Sequence, residues 1–155
     1  MLKTPTTRHR KLPGMTPEQI TLVESTIERA WDELTTLADD FYARLFEAEP
    51  RLCDLFTSDP AEQHRKFAEQ LDAISCLIHD CDAFTANLGE LGSRHDGYGV
   101  RPRDYALAGP PLLAALAAML GDDWTSEVET AWLRAYNLTV EAMMAGAAAH
   151  HAGPA

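Results

Sequence analysis

His95 is the residue of this sequence whose type and position could most clearly do chemistry. It lies near the end of a predicted helix, where Gly97 and Gly99 let the backbone turn away. An imidazole at that point can complement the helix dipole as a cation. It can also be the single nitrogen donor to the metal of a flat macrocycle, given an apolar pocket and polar groups on the opposite side. The residues around His95 leave both interpretations open.

The other potential metal ligands form no recognisable site. Cys76, His79 and Cys81 are close in sequence, but they are too few for a closed zinc site and their spacing matches no usual pattern. His64 lies on a predicted helix among polar residues. His95 is therefore the strongest candidate ligand in the chain.

Four further residues have ordinary structural interpretations when each is taken alone. Phe56 and Phe67 are typical core residues, and Tyr42 is typical of a core tyrosine whose hydroxyl has a hydrogen-bond partner. Gln63 falls in the first turn of a predicted helix, where an amide is usually solvated. A functional role for any of them needs evidence beyond its residue type.

The composition limits the class of protein. The chain has 155 residues, of which 46% are hydrophobic, enough for one domain with a core. Its formal net charge of −11 argues against nucleic acid and anionic membranes as partners, because both attract basic surfaces. Three cysteines without CxxC spacing indicate reduced thiols and a cytoplasmic location.

The two ends of the chain are predicted to lie outside the folded domain. Residues 1–14 are polar and basic, so we expect a flexible arm rather than a secretory signal. The domain is predicted to span residues 15–148, followed by a tail at 149–155. No apolar stretch approaches the roughly 20 residues of a membrane span, so we expect no membrane insertion.

Hydrophobic periodicity predicts an all-α fold of six to eight helices joined by short loops. Thr16, Pro17 and Gln19 form a capping-box start, and apolar residues then repeat at helical spacing up to Leu34. Asp59 is predicted to cap the helix that carries Gln63. The later helical stripes are Phe41, Tyr42, Leu45 and Phe46; Phe67, Leu71, Ile74 and Ile78; and Phe84, Leu88 and Leu91.

The segment from Pro102 to Leu120 is predicted to be helical, with an interruption. Pro110 and Pro111 remove two backbone donors in its middle, so we expect the helix to kink there or to split in two. A long final helix is predicted to follow, with Thr125 or Ser126 as its cap.

Four stretches together resemble the globin family, and within it bacterial single-domain haemoglobins and the haem domain of flavohaemoglobins. They are FYARLFEAEPRLCDLF, QHRKFAEQLDAI, SRHDGYGVRPRDYALAGPPLL and AWLRAY. The first and third are fairly specific, since they hold in register Phe41, Tyr42, Pro50, Phe56, His95, Pro102 and Tyr105. The resemblance runs from Thr16 to about residue 147 and implies a globin fold around a haem pocket.

This resemblance implies roles on the proximal side and for the pocket lining. His95 matches the histidine that ligates the iron of haem b, and Tyr105 matches the tyrosine near that histidine. Phe56 matches the phenylalanine that packs against the haem face. Phe67 matches the large apolar residue over the iron.

On the distal side, the resemblance implies that Tyr42 donates a hydrogen bond to the bound gas and that Gln63 assists. The segment between Phe56 and Gln63 is about three residues shorter than in flavohaemoglobins. A slip of one residue would place His64 in the distal position, where it could bind iron itself. We favour Gln63 because Phe67 and the apolar residues after it then face inward together.

The implied function is reversible binding of a diatomic gas, namely O2, NO or CO, by a monomer or a homodimer. One alternative is a nitric oxide dioxygenase, which would need a separate reductase because no flavin and nicotinamide domain follows Ala155. Another is a haem-based gas sensor, with the arm as its only candidate signalling surface. A third is a globin-shaped interaction module without haem. Ala147 stands where flavohaemoglobins have a glutamate near the proximal histidine, which argues against vigorous dioxygenase chemistry.

Overall fold

The computed structural model describes residues 11–57 and 59–152, so most of the predicted arm and the last residues of the predicted tail lie outside the described part. Within these ranges the chain forms six α-helices and three short 3-10 helices, with no strand, which confirms the predicted all-α class. The α-helices are α1 (Pro17–Arg29), α2 (Leu34–Ala48), α3 (Pro60–Leu77), α4 (Cys81–Gly97), α5 (Pro102–Leu120) and α6 (Ser126–Ala152).

The start of α1 is confirmed, but its predicted length is wrong. Thr16 Oγ1 accepts the Gln19 N–H at 3.1 Å, and Gln19 Oε1 accepts the Thr16 N–H at 3.0 Å. The helix ends at Arg29, and a 3-10 turn, Trp31–Glu33, separates it from α2. The apolar spacing continues across this turn because both helices face the same core, so periodicity alone does not reveal the boundary.

Two aspartates begin the helices that carry the candidate site, and only one of them caps with its side chain. Asp59 occupies the cap position of α3 but its side chain accepts no hydrogen bond there, contrary to the prediction. Asp80 begins α4 and accepts the N–H groups of Asp82 and Ala83 at 3.1 and 3.2 Å. Gly99, whose φ of +92° favours glycine, lies in the turn after α4.

The helix α5 runs unbroken through Pro110 and Pro111, so the predicted division of this helix is wrong. Tyr136 of α6 packs at this point: a Cβ on Gly109 would lie 3.0 Å from its ring, and its hydroxyl donates to the Tyr105 carbonyl. Packing against α2 and α6 holds α5 as one continuous helix although two backbone donors are missing. Tertiary contacts therefore override the local effect of the prolines.

The length and composition of α5 also correct the expectation about membrane spans. Residues Pro102–Asp123 are long and apolar enough to cross a membrane by those two criteria alone. This helix packs against α2 and α6, and core helices of globular proteins pass the same test. Such a helix is weak evidence for membrane insertion.

The helices α4 and α6 cross with their backbones in contact. A Cβ on Gly92 would lie 1.9 Å from the Met143 carbonyl oxygen, and one on Gly146 would lie 2.0 Å from the Gly89 carbonyl oxygen. Only glycine permits so close an approach. Because Gly92 lies one turn before His95, this crossing fixes where the candidate ligand leaves the core.

The two ends of the described chain pack more closely than the domain prediction implies. Leu12, which the prediction assigns to the arm, is 4% exposed and belongs to the core. At the other end, α6 continues to Ala152, and the His151 Nε2 lies 2.6 Å from Asp96 Oδ2 on α4. The ordered structure therefore extends beyond residues 15–148 on both sides.

We expect Gly92→Ala to lower the free energy of unfolding by about 1–3 kcal/mol, because the added methyl group meets backbone rather than a movable side chain. Gly97→Ala is the matched control on the same helix, since a Cβ there meets nothing within 4 Å. Urea denaturation of both variants measures the difference. Equal midpoints for the two variants would contradict the close crossing.

We expect Tyr136→Phe to lower the free energy of unfolding by about 0.5–1.5 kcal/mol, the usual net contribution of one hydrogen bond. Burial first, and the Tyr105 phenol second, raise the pKa of Tyr136. An unfolded tyrosine ionises near pH 10, so the unfolded state gains relative stability as the pH rises above about 10. Between pH 10 and 11 the free energy of unfolding should fall less steeply for Tyr136→Phe than for the wild type. Chemical denaturation at pH 8 to 11 measures both profiles, and parallel profiles would contradict the expectation.

Candidate functional site

The proximal candidate, His95, has a defined proton arrangement in the last turn of α4. Its Nδ1 lies 2.9 Å from the Leu91 carbonyl oxygen. A carbonyl can only accept, so Nδ1 carries the proton and donates it. In the neutral ring the Nε2 lone pair then remains available for a metal.

The surroundings of His95 favour this neutral form. Burial lowers the pKa of His95, an effect that the Leu91 carbonyl opposes and the Arg94 charge reinforces. A neutral imidazole is the form that ligates a metal. These surroundings favour a neutral ring over a solvated helix-end cation at His95.

Tyr105 of α5 lies beside His95, as the resemblance implies. The two ring centroids are 6.4 Å apart and the ring planes differ by 26°. Burial, and then the charges of Asp96 and Asp104, raise the pKa of Tyr105 to about 12. Its carbonyl accepts the Tyr136 hydroxyl, which fixes the first turn of α5 relative to α6.

Tyr42 and Gln63, predicted as a pair of distal donors, lie in contact. Tyr42 is 5% exposed on α2, and Gln63 Nε2 donates to its Oη at 3.3 Å. Burial raises the pKa of Tyr42, and the bond from Gln63 only partly opposes this. The phenol therefore keeps its proton at neutral pH, and no described residue accepts it.

Aromatic rings surround the Tyr42 phenol. Phe56 meets it edge-on at 5.3 Å and 80°, and Phe67 at 5.6 Å and 66°. Phe67 also stacks on Phe41 at 4.6 Å and 11°, while Phe46 contacts Phe56 at 5.3 Å. Sequence analysis placed Phe46 only in a helical stripe, and Phe41 in that stripe and in the register of the resemblance; neither residue was predicted to lie beside the site.

His64 takes a position that bears on the register left open by the sequence. Its Nδ1 pairs with Asp39 Oδ1, and its ring lies parallel to Tyr42, 4.7 Å away with 9° between the planes. Gln63, not His64, reaches the Tyr42 hydroxyl. Both residues thus contact Tyr42, Gln63 at its hydroxyl and His64 at its ring; the distal position of Gln63 stays a prediction.

The candidate residues fall into two groups. Tyr42, Gln63, Phe56 and Phe67 form the first group, and His95 and Tyr105 form the second. Among described residues, no hydrogen bond or ring contact joins the groups. A cleft of about 240 Å³ lies between the 3-10 helix Pro50–Leu55 and the turn after α4. Its lining includes Leu55, one residue before Phe56, and Gly99.

Cys76, His79 and Cys81, the group of possible metal ligands considered from the sequence, do not come together as a metal site. Among the residues described here, no group of three His, Cys, Asp or Glu side chains could hold a metal ion. His79 instead pairs with Glu24, its Nε2 lying 2.8 Å from Oε2. The three cysteines form no disulfide.

Comparison with known proteins gives flavohemoproteins among the sequence relatives of this chain. The flavohemoprotein of Rhizobium meliloti is 34% identical over 99 residues, which cover 62% of this chain and 25% of that protein. The flavohemoprotein of Deinococcus radiodurans is 30% identical over 133 residues, which cover 84% of this chain and 33% of that protein. The chain thus spans a quarter to a third of the length of these relatives.

Its fold is similar to that of an engineered carbene transferase derived from a provisional nitric oxide dioxygenase of Rhodothermus marinus. The TM-score is 0.81 at 25% identity, covering 89% of this chain and 96% of the other. The sequence profile described as Globin matches residues 39–143, from α2 into α6. The predicted globin fold is therefore confirmed, and this chain belongs to the globin family.

Proposed function

We propose that this protein binds haem b and, through it, reversibly binds a diatomic gas, with His95 as the proximal ligand. Globin membership implies haem, and the donor chemistry here fits it. His95 is held neutral by burial, with its proton fixed on Nδ1 by the Leu91 carbonyl. That hydrogen bond also orients the ring and raises its basicity as a ligand. Haem iron, when bound, supplies the coordination site for the gas.

The observation that carries the proposal is that the Tyr42 hydroxyl is buried and donates a hydrogen bond to no described residue. Gln63 donates to its oxygen at 3.3 Å, so the phenol proton is left to donate elsewhere. A gas ligand that carried negative charge when bound would accept such a bond from Tyr42. A hydrogen bond to a charged group contributes about 1.5–3 kcal/mol, or roughly 10- to 150-fold in affinity. Tyr42 is thus the main distal donor, and Gln63 orients it.

The surrounding rings give this donor its strength. Phe56 and Phe67 pack edge-on against Tyr42 and present apolar surface to the haem. They exclude water that would compete for the phenol proton, and the lower local dielectric strengthens the remaining hydrogen bond. Tyr105 contacts the His95 ring on the proximal side and helps to fix its orientation.

We propose O2 as the gas, because a bound ligand that took up negative charge would suit the Tyr42 donor; NO and CO also fit such a site. The acidic chain with reduced cysteines favours a cytoplasmic location.

A nitric oxide dioxygenase is the second candidate function, favoured by the similarity to the Rhodothermus marinus protein. The reaction joins nitric oxide and dioxygen with one electron to give nitrate, so each turnover needs a reductase as partner. Sustained NADH-dependent nitric oxide removal with an added flavin reductase would support it. Loss of activity after one turnover would support gas binding alone.

We expect Tyr42→Phe to speed O2 release by at least several-fold and by up to about 100-fold, because the substitution removes only the donating hydroxyl. Stopped-flow displacement of O2 by CO measures the release rate. His79→Ala is the control, since it truncates an exposed side chain that pairs with Glu24 and contacts no ring of the site. An unchanged rate in Tyr42→Phe would refute the donor role.

We expect His95→Gly to lose the absorption spectrum of histidine-ligated ferrous haem and free imidazole to restore it by entering the vacated space. Absorption spectra with and without CO measure this. His79→Gly, at an exposed histidine, should keep the wild-type spectrum. If haem added to wild-type protein produced no Soret band, only the haemless interaction module would remain.

A further inference from the structure

We propose that His64, held by Asp39, is a positioning residue for the Tyr42 hydroxyl. The inference rests on the proposed gas-binding function and concerns two residues to which that function gives no role. In this proposal the first turn of α3 holds the Tyr42 hydroxyl in place.

One imidazole connects α3 to two residues of α2. Asp39 and Tyr42 are three positions apart, so they lie on one face of α2. His64 pairs with the Asp39 carboxylate through Nδ1 and lays its ring flat on Tyr42, 4.7 Å away. The carboxylate accepts the Nδ1 proton and thereby fixes both the tautomer and the plane of the ring.

The flat contact controls the one motion that displaces the donor. Rotation of a phenol about its own axis leaves Oη in place, so only a tilt of the whole ring moves the hydroxyl. Phe56 and Phe67 meet Tyr42 at 80° and 66°, whereas His64 lies within 9° of parallel. Among these rings, His64 covers a face of the phenol and opposes its tilt in that direction.

The same anchor affects the second distal residue. Gln63 precedes His64 in the first turn of α3, where the Asp59 side chain forms no capping bond. The His64–Asp39 pair thus ties this turn to α2 and keeps Gln63 Nε2 within 3.3 Å of the phenol oxygen. Loss of the His64–Asp39 pair should therefore disturb both the Tyr42 hydroxyl and the Gln63 amide that orients it.

The chain provides a matched surface pair for comparison. His79 and Glu24 also join a histidine of one helical region to a carboxylate of another, with 2.8 Å between Nε2 and Oε2. Neither residue contacts a ring of the candidate site. Removing this pair tests what the loss of any histidine–carboxylate contact does to the protein.

We expect His64→Ala and Asp39→Ala to speed O2 release by about 3- to 10-fold, less than Tyr42→Phe, because the donor is displaced rather than removed. The C–O stretching frequency of the ferrous CO complex should shift in the direction seen for Tyr42→Phe. Asp39→Asn, which retains an acceptor oxygen for Nδ1, should restore the rate towards wild type. His79→Ala should leave the rate and frequency unchanged.

A double-mutant cycle separates positioning from a general structural effect. If His64 acts through Tyr42, His64→Ala should have no further effect in the Tyr42→Phe background. Equal acceleration in both backgrounds, or equal rates for Asp39→Ala and Asp39→Asn, would overturn the positioning role. A wild-type rate in Tyr42→Phe alone would instead overturn the donor role in the proposed function.

A measurement without haem tests the pair directly. In the apoprotein, ¹⁵N NMR should show the Nδ1-protonated tautomer of His64, and Asp39→Ala should abolish that preference. Thermal unfolding of each variant verifies that it is folded. A folded Asp39→Ala protein with an unchanged His64 signal would overturn the proposed tether.

Discussion

The close crossing of α4 and α6 is the constraint on which the candidate site depends. At Gly92 and Gly146 the two backbones touch, with no side chain between them to absorb an error in position. His95 lies one turn beyond Gly92, so its position follows from the crossing rather than from its own contacts alone. The bond from Nδ1 to the Leu91 carbonyl then determines only the rotation of the ring.

The distal half of the site is anchored in a different way. Here side chains rather than backbones meet: Tyr42 of α2 is enclosed by aromatic rings and contacts two neighbouring residues of α3, Gln63 and His64. In the proximal half, two helices meet backbone to backbone. In the distal half, side chains pack around Tyr42, so its hydroxyl can shift when its neighbours move. In this globin, backbone contacts fix the position of the candidate proximal ligand, and side-chain contacts fix that of the candidate distal donor.

Sequence reasoning identified the features that leave a local pattern in the sequence or that align with the globin family. Thr16 with Gln19 and the apolar stripes are local, and the spacing of Tyr42, Gln63 and His95 came from the resemblance. The contacts of Asp39 with His64, 25 residues away, and of Tyr136 with Tyr105, 31 residues away, join different helices and have no local signature. The division in two that was one of the outcomes expected at Pro110 and Pro111 does not occur, because that expectation applied a local rule to a helix held by its neighbours.

His151, in the last described turn of α6, pairs with Asp96, the residue that follows His95. This turn of α6 is thereby held beside the candidate proximal ligand. A change in it, such as loss of the His151 imidazole, would reach His95 through a single neighbouring residue.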